Sequence, residues 1–529
     1  MDTPAEGAGA EARRESEGGG READLSSPAD FKGATYDLVV VGGGINGVGI
    51  ARDAAGRGLS VLLLERHDLA GATSSASSKL IHGGLRYLEQ SEFRLVRESL
   101  EEREVLLAAA PHIVRPVRFV LPVRAGMRPG WMLRTGLFLY DHIGGRKRLP
   151  ATRTLRRGRD EALDPLREPI RQAFEYSDCT VDDARLVALN ALDAHERGAS
   201  IAIGWSLVGA RREARRWHID IDSGSGERAS VHARALINAA GPWVEDVLRS
   251  VGAPRRRALR LVKGSHIVVP RVYEGEHAYT LQGADGRVVF AIPYQDEFTL
   301  VGTTDIPYDE DPALVRTSAE EIAYLCRVLG EYLRTAVIPA QVVWDYSGVR
   351  PLYDDGGVSA STVTRDYVFD LDAPENAAPV LSVFGGKLTT YRRLAEHALG
   401  ELLPRLNVVS SPWTRGSALP GGDIPGLDIE AFSAAAMRRF PFAPPRMIRR
   451  MSRAYGTRIE RVLGQARRSE DLGEEIAPGL FEAELEYLRA KEWARSADDV
   501  LWRRSKLGLA LDPAARERVA QWVAQHVGR

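Results

Sequence analysis

Three glycines near the N-terminus are spaced for work that other residues could not do. Gly42, Gly44 and Gly47 sit in Gly42-Gly43-Gly44-Ile45-Asn46-Gly47, directly after the aliphatic run Leu38-Val39-Val40-Val41. In a G-x-G-x-x-G pattern the first glycine permits a tight turn. The second lets backbone approach a pyrophosphate, and the third lets helix and strand pack closely. Glu65 follows 23 positions after Gly42, where a carboxylate can accept bonds from ribose hydroxyls. A helix opening at Ile45 adds unpaired N–H groups and a positive dipole end facing a phosphate. These residues predict a dinucleotide site and do not by themselves separate FAD from NAD. Gly224-Ser225-Gly226 lies in a polar, hairpin-like stretch, so no second fingerprint accompanies the first. Thr73-Ser74-Ser75-Ala76-Ser77-Ser78-Lys79 supplies hydroxyls suited to lining an extended cofactor.

Such residues need a frame. Leu38–Val41 reads as a parallel strand buried on both faces. Ile45 to Arg57 carries Ala51, Ala54 and Ala55 at helical spacing and stops before Gly58, a residue suited to a left-handed helix end. Val61–Leu64 reads as a second buried strand, and the right-handed crossover rule places both in one sheet. Residues 85–110 alternate apolar and charged positions at helical spacing up to Pro111. From about 200 to 400 strand-like runs dominate: Ile201–Ile203, His266–Val269, Val288–Phe290 and Phe298–Val301. Ser411-Pro412 and Pro420-Gly421-Gly422-Asp423 read as a linker, and the last 85 or so residues look helical. Residues 1–34, acidic and rich in Gly, Ala, Ser and Pro, read as a flexible tail.

The chain has 529 residues, 44% of them hydrophobic and 27% charged, the balance of a globular protein with two to four domains. A net charge of −1 provides no global field to steer it toward nucleic acid. Two cysteines, Cys179 and Cys326, cannot form a disulfide framework and argue for a reducing compartment. No run of apolar residues is long enough for a transmembrane helix, and no signal peptide pattern is present.

The segment Thr73 to Tyr87, TSSASSKLIHGGLRY, together with Gly42–Gly47, closely resembles the FAD-dependent glycerol-3-phosphate dehydrogenases. Further stretches match in order: Asn238–Trp243, Lys263–His266, Gly302–Asp305, Gly348–Leu352, Thr364–Tyr367 and Gly385–Tyr391. The resemblance runs from about residue 35 almost to the C-terminus. It implies an α/β and α+β architecture. A glutathione-reductase-type, Rossmann-like FAD domain (about 35–115, 175–260 and 345–410) would be interleaved with a β-rich substrate domain (116–174 and 261–344). An all-helical C-terminal domain (411–529) would follow. It also implies non-covalent FAD, oxidation of sn-glycerol 3-phosphate to dihydroxyacetone phosphate, and a membrane quinone as acceptor. By the same likeness Gly42, Gly44, Asn46, Gly47, Glu65, Thr73, Ser74, Ser78, His82, Ala240, Gly241, Gly385, Gly386, Leu388 and Thr389 contact the cofactor. No metal is expected.

A phosphomonoester dianion needs several fixed positive donors, and the planar fork of arginine suits it. The matched segments supply Arg86, Arg350, Arg365 and Lys387, with the Tyr87 hydroxyl beside them. Removing a hydride from C2 requires that the C2 hydroxyl lose a proton, for which histidine is the better base. His266 is the expected proton acceptor, acting with Arg350, and His82 is expected against the flavin. Thr389 and Thr390 either cap the helix after Gly385-Gly386-Lys387 or touch the flavin. Rival readings are a glycerol-3-phosphate oxidase using oxygen and an amine or amino-acid oxidase on a related FAD fold.

Between Arg115 and Asp160 twelve basic residues accompany two acidic ones, and Trp131-Met132-Leu133-Arg134-Thr135-Gly136-Leu137-Phe138-Leu139-Tyr140 lies among them. That composition suits an interfacial helix on anionic lipid, or else a core helix followed by a solvated basic loop. Arg446, Arg449, Arg450 and Arg453 form a second candidate membrane surface, or else a solvated face. The expected location is cytoplasmic, peripheral on the inner face of the cytoplasmic membrane, and a homodimer is compatible with the family resemblance.

Overall fold

In the computed structural model, residues 31–88, 92–124, 128–145, 148–354 and 366–527 are described. The fingerprint unit folds as the spacing predicts. Strand β1 (Thr35–Val41) runs into helix α1 (Ile45–Gly56), which returns through Gly58 to β2 (Val61–Glu65). The two strands pair in parallel with Leu38 opposite Val61 and Val41 opposite Leu64. Both are buried on both faces, which is why they read as unbroken aliphatic runs. An eight-stranded sheet grows around them. Strand Arg228–Asn238 pairs parallel to β1, Ser200–Ile203 pairs parallel to β2, and Val380–Phe384 extends the sheet beyond Arg228–Asn238.

The last residues of the expected tail, from Phe31 on, lie within the described structure. Phe31 is fully buried edge-on to Trp205 with ring centroids 5.0 Å apart, so the last residues of the assigned tail belong to the domain. Burial of an aromatic ring contributes enough to offset the ordering entropy of the residues around it.

A second, ten-stranded sheet carries the β-rich region and contains Val114–Pro122, Gln172–Val181 and Leu259–Pro270. Its limits differ from the expected ones. The strand Trp344–Tyr353, which the expected boundary at 344/345 cuts near its start, pairs along its whole length with Leu259–Val268, and Leu80–Ile81 pairs with Cys179–Thr180. Strand pairing depends on distant register, which local pattern does not contain.

Helix α2 (Phe93–Ala109) ends before Pro111 as expected, and α3 (Gly130–Ile143) follows the strand Val114–Pro122. Helices α4 (Asp183–Glu196), α5 (Val244–Ser250), α6 (Ala319–Tyr332) and α7 (Tyr391–Leu402) complete the two-domain body. Helix α1 lies against α4 and α7, and its small residues allow that approach. A Cβ on Gly49 would meet the Tyr391 ring at 2.7 Å.

The expected linker is packed rather than loose. Trp413 fills the space beside Gly56, and the Leu419 N–H donates to Ala109 O at 2.8 Å. The C-terminal region is helical apart from a two-stranded ribbon, Glu475–Ala477 with Leu480–Phe481. Buried ion pairs bolt it to the first domain: Arg504 to Asp68 at 2.7 Å, and Arg185 to Glu492. Arg185 also donates to Ala454 O.

His112 sits at this junction, fully buried, and desolvation with the nearby Arg185 charge lowers its pKa to about 3. The folded value lies below the unfolded one. The associated stability is therefore complete above about pH 6.5 and is lost as pH falls toward 3. Thermal melts are expected to shift down from pH 7.5 to 5.5, by up to about 1.4 kcal/mol per pH unit from this group. A His112→Leu variant should flatten that dependence; equal slopes in variant and parent would exclude His112 as its source.

Candidate active site

The turn after β1 is shaped by contacts that admit no side chain. Gly42 has φ +111°, and a Cβ there would lie 2.6 Å from Ala239 O. A Cβ on Gly47 would lie 1.9 Å from Gly42 O. The Ile45 N–H, at the start of α1 where helical partners are lacking, donates to Ser74 Oγ at 3.0 Å. Glu65 accepts the Gly43 N–H at 2.7 Å and the His67 N–H at 2.8 Å, and burial pushes its pKa up.

From this turn a cavity of about 1400 Å³ extends between the two sheets. Of the expected cofactor residues, Gly42, Gly44, Asn46, Glu65, Thr73, Ser74, Ser78, His82, Ala240, Gly241, Gly385, Gly386, Leu388 and Thr389 all line it. Gly47 stands behind, as a packing glycine should. Asn46 ties two loops together by donating to Gly385 O at 3.3 Å, while its buried Oδ1 has no hydrogen-bond partner. Thr73 Oγ1 donates to Val349 O at 2.6 Å, which joins the hydroxyl-rich stretch to the strand carrying Arg350. Thr389 Oγ1 bonds the His82 backbone, and Thr390 at the start of α7 makes no side-chain cap, so neither threonine caps that helix. A glycine cradle at a helix N-terminus, a ribose-type carboxylate and an elongated cavity fit an FAD molecule.

Arg86, Tyr87, Arg350 and Lys387 also line the cavity. Lys387 Nζ lies 3.8 Å from the Tyr87 ring centroid, a cation–π distance. Arg350 is held on three sides: it pairs with Asp305, donates to Thr304 O at 3.3 Å and donates to Thr303 Oγ1 at 2.8 Å. Gly264 makes room for it, since a Cβ there would lie 2.3 Å from Arg350 Nη2. Arg365, the fourth expected cation, lies outside the described residues.

The two histidines occupy different positions. His82 lines the cavity. His266 is 1% exposed and does not line it; its Nε2 meets Ser78 Oγ at 2.9 Å, and its ring stacks on Tyr346. Its Nδ1 is buried without a hydrogen-bond partner. Desolvation, then the charges of Arg350 and Lys79, hold its pKa well below the usual value. Position along a strand tells nothing of depth behind a wall, so the sequence could not reveal this. Asp305 was legible only as part of a matched segment, and its role as the partner of Arg350 came from the fold.

One side of the cavity was not anticipated. Trp131, Met132 and Leu139 of α3 line it, as do Trp502 and Arg503 from the C-terminal region. Tyr140 anchors α3 through Asp178 at 2.8 Å and Leu137 is buried, yet Trp131 is 69% and Phe138 63% exposed. The mixed pattern of this segment in the sequence was the available signal.

Residues 37–392 match the family model described as FAD dependent oxidoreductase, and residues 413–529 match the C-terminal domain of alpha-glycerophosphate oxidase. The chain is 53% identical to a glycerol-3-phosphate dehydrogenase of Pseudomonas aeruginosa over 489 residues, covering 92% of this chain and 95% of that protein. It is 50% identical to a D-erythritol 1-phosphate dehydrogenase of Brucella abortus, with 92% and 97% covered. The crystal structure of a Bacillus halodurans glycerol-3-phosphate dehydrogenase complexed with FAD is similar, with a TM-score of 0.73 and 26% identity. That match covers 93% of this chain and 91% of the other.

Proposed function

Because this chain belongs to the FAD-dependent oxidoreductase family, we propose that it oxidises sn-glycerol 3-phosphate to dihydroxyacetone phosphate and passes the electrons to a membrane quinone. The observation that carries the substrate reading is the convergence of Arg86, Arg350 and Lys387 on one cavity that also contains the fingerprint turn. Three cations exceed what the carboxylate of an amino acid requires and match a phosphate dianion. Relatives named for glycerol 3-phosphate and for D-erythritol 1-phosphate share the same class of substrate, a phosphorylated polyol.

FAD is held by the turn Gly42–Gly47, Ser74 and Glu65 at one end and by Gly385–Thr389 at the other. When bound it supplies the hydride acceptor. Arg350, fixed by Asp305 and Thr303, binds the phosphate together with Arg86 and Lys387, which orients the C2 carbon toward the cofactor. His82, on the cavity wall, accepts the proton of the C2 hydroxyl. His266 is poorly suited to proton transfer, because protonation would leave a buried N–H at Nδ1 unpaired and place a cation near Arg350 and Lys79. It acts as a positioning residue that fixes the Ser78 hydroxyl.

His82→Asn is expected to lower kcat by about 10²–10⁴-fold, the usual contribution of a general base, with little change in KM. His266→Asn should cost less. A reversed order of the two would return the base role to His266. Steady-state rates with sn-glycerol 3-phosphate, D-erythritol 1-phosphate and unphosphorylated glycerol test the substrate; comparable rates with glycerol would remove the phosphate argument. Stoichiometric peroxide release would replace the quinone with oxygen.

The exposed apolar face of α3 supports peripheral membrane docking. No helix among the described residues is long and apolar enough to cross a membrane. Arg134, Arg156 and Arg159, with Arg153 paired to Glu175 and Asp160, surround a depression beside α3, the polar rim that an anionic surface would engage. In the second candidate surface Arg446 pairs with Glu297, Arg450 with Glu484, and Arg453 with Asp296 and Glu430. Flotation with anionic liposomes at low salt is expected to carry the protein upward, and Trp131→Ser with Phe138→Ser to abolish it. Unchanged flotation in that double variant would acquit α3.

A further inference from the structure

Beside the cavity, which Ser206 and Leu207 line, the strands Ser206–Glu213, Arg216–Asp222 and Arg228–Asn238 form an antiparallel meander at one side of the first sheet. Register places His218 directly opposite His232, and the hairpin between the first two strands brings Glu213 over both. His218 Nδ1 and His232 Nε2 face each other at 3.3 Å. The two Glu213 oxygens lie 3.8 Å from them, one oxygen to each ring nitrogen. The three side chains are partly exposed and none lines the cavity.

We propose that Glu213, His218 and His232 form a binding site for a divalent transition-metal ion, Zn²⁺ being the best match. Two imidazole nitrogens bound at about 2.0–2.1 Å in tetrahedral geometry stand about 3.3 Å apart, the spacing these two nitrogens already have. Imidazole with carboxylate selects zinc-like ions rather than calcium or magnesium. The support behind the ligands fits as well. His218 Nε2 lies 3.2 Å from Asp220 Oδ1, and Asp220 is itself held by the Ser230 hydroxyl at 2.6 Å. A carboxylate on the far nitrogen fixes the tautomer that leaves the near nitrogen's lone pair directed inward, the arrangement found behind most metal-bound histidines.

Two cations compete for Glu213: Arg211 at 3.2 Å and Arg216 at 3.3 Å. Both arginine side chains are more than half exposed, so their pairs are weak and a divalent ion can displace them. Three protein ligands leave a fourth position for water. The ion would add a cross-link on the outer face of the meander, whose inner face is already packed through Trp217, Ile219 and Ile221.

The test uses untagged, FAD-loaded protein, stripped with chelator and titrated with Zn²⁺ by calorimetry. One equivalent should bind. His218→Ala and His232→Ala should each weaken binding at least about 100-fold, and Asp220→Asn by about 10–100-fold, the usual effect of losing an orienting partner. Retained flavin content in each variant identifies it as folded. X-ray absorption at the zinc edge of the unsubstituted protein gives an independent reading, with two imidazoles expected in the coordination shell. Failure to take up Zn²⁺ saturably, unaltered affinity in both histidine variants, or a shell without imidazole would each overturn the proposal. The histidine pair would then be a hydrogen-bonded contact only.

Discussion

Replacing Arg350 with alanine is expected to lower kcat/KM for sn-glycerol 3-phosphate by about 10²–10³-fold, mostly through KM. Truncating one member of a buried, hydrogen-bonded charge pair costs about 2–5 kcal/mol, and each 1.4 kcal/mol is about tenfold. Two effects combine in the variant. The phosphate loses a planar two-pronged donor, and the carboxylate of Asp305, the ion-pair partner of Arg350, stays as a negative charge at the phosphate's edge. The second effect can be separated. Asp305→Asn added to Arg350→Ala should recover part of the loss, whereas Asp305→Asn alone should be mild. Steady-state kinetics of the four proteins form a double-mutant cycle. Additive effects would mean that Asp305 does not act through Arg350.

The second large effect is expected at Gly47. A β-carbon there would stand 1.9 Å from Gly42 O, so either the turn or α1 must move. Overpacking of this kind costs about 1–3 kcal/mol, occasionally more, and here the displaced atoms are backbone that cradles the cofactor. Gly47→Ala should therefore purify with FAD affinity lowered by about 10–100-fold, read as the ratio of flavin to protein absorbance. Gly58→Ala is the control. Gly58 has φ +83° with nothing near its Cβ position, so alanine strains the helix end without touching the cradle. It should reduce thermal stability and leave the flavin ratio unchanged. Equal flavin loss in both would indicate general misfolding rather than a damaged cradle.

The parts of the site that were readable in the sequence are those whose chemistry is local. Gly42, Gly44 and Gly47 with Glu65 occupy one strand–turn–helix–strand unit, and each is needed for a reason that spacing records. The cations come from segments more than 250 residues apart, Arg86 beside Arg350 and Lys387. Physical pattern alone would have left them as surface arginines, and only their place in matched segments united them. His266 illustrates the opposite limit. Its strand was recognised, but whether its ring faced the cavity or lay behind Ser78 depended on how two sheets meet. The partner of Trp344–Tyr353 was hidden for the same reason, since ten residues of pairing with Leu259–Val268 are a property of register. Arg446 and Arg453 stand beside acidic partners at Glu297 and Asp296 that are remote in sequence, a pairing no local pattern records. The Glu213, His218 and His232 cluster has no metal-binding spacing at all, because antiparallel register assembled it.

The α3 segment was legible as a composition and ambiguous as a location. Its apolar residues divide between two duties that a one-dimensional pattern mixes: Leu137 and Tyr140 hold the helix down, while Trp131 and Phe138 face outward. Trp131 and Leu139 also border the cavity, so docking of this face on a bilayer would bring the cavity mouth to the lipid where quinones dissolve.

The most direct measurement mixes the purified protein with sn-glycerol 3-phosphate in the absence of oxygen while flavin absorbance is followed. Rapid bleaching is expected with this substrate, far slower bleaching with glycerol, and a strongly raised substrate requirement in Arg350→Ala. A yellow protein whose flavin is not reduced by sn-glycerol 3-phosphate, or is reduced equally well by glycerol, would contradict the account of the cavity as a phosphate-anchored alcohol-oxidising site.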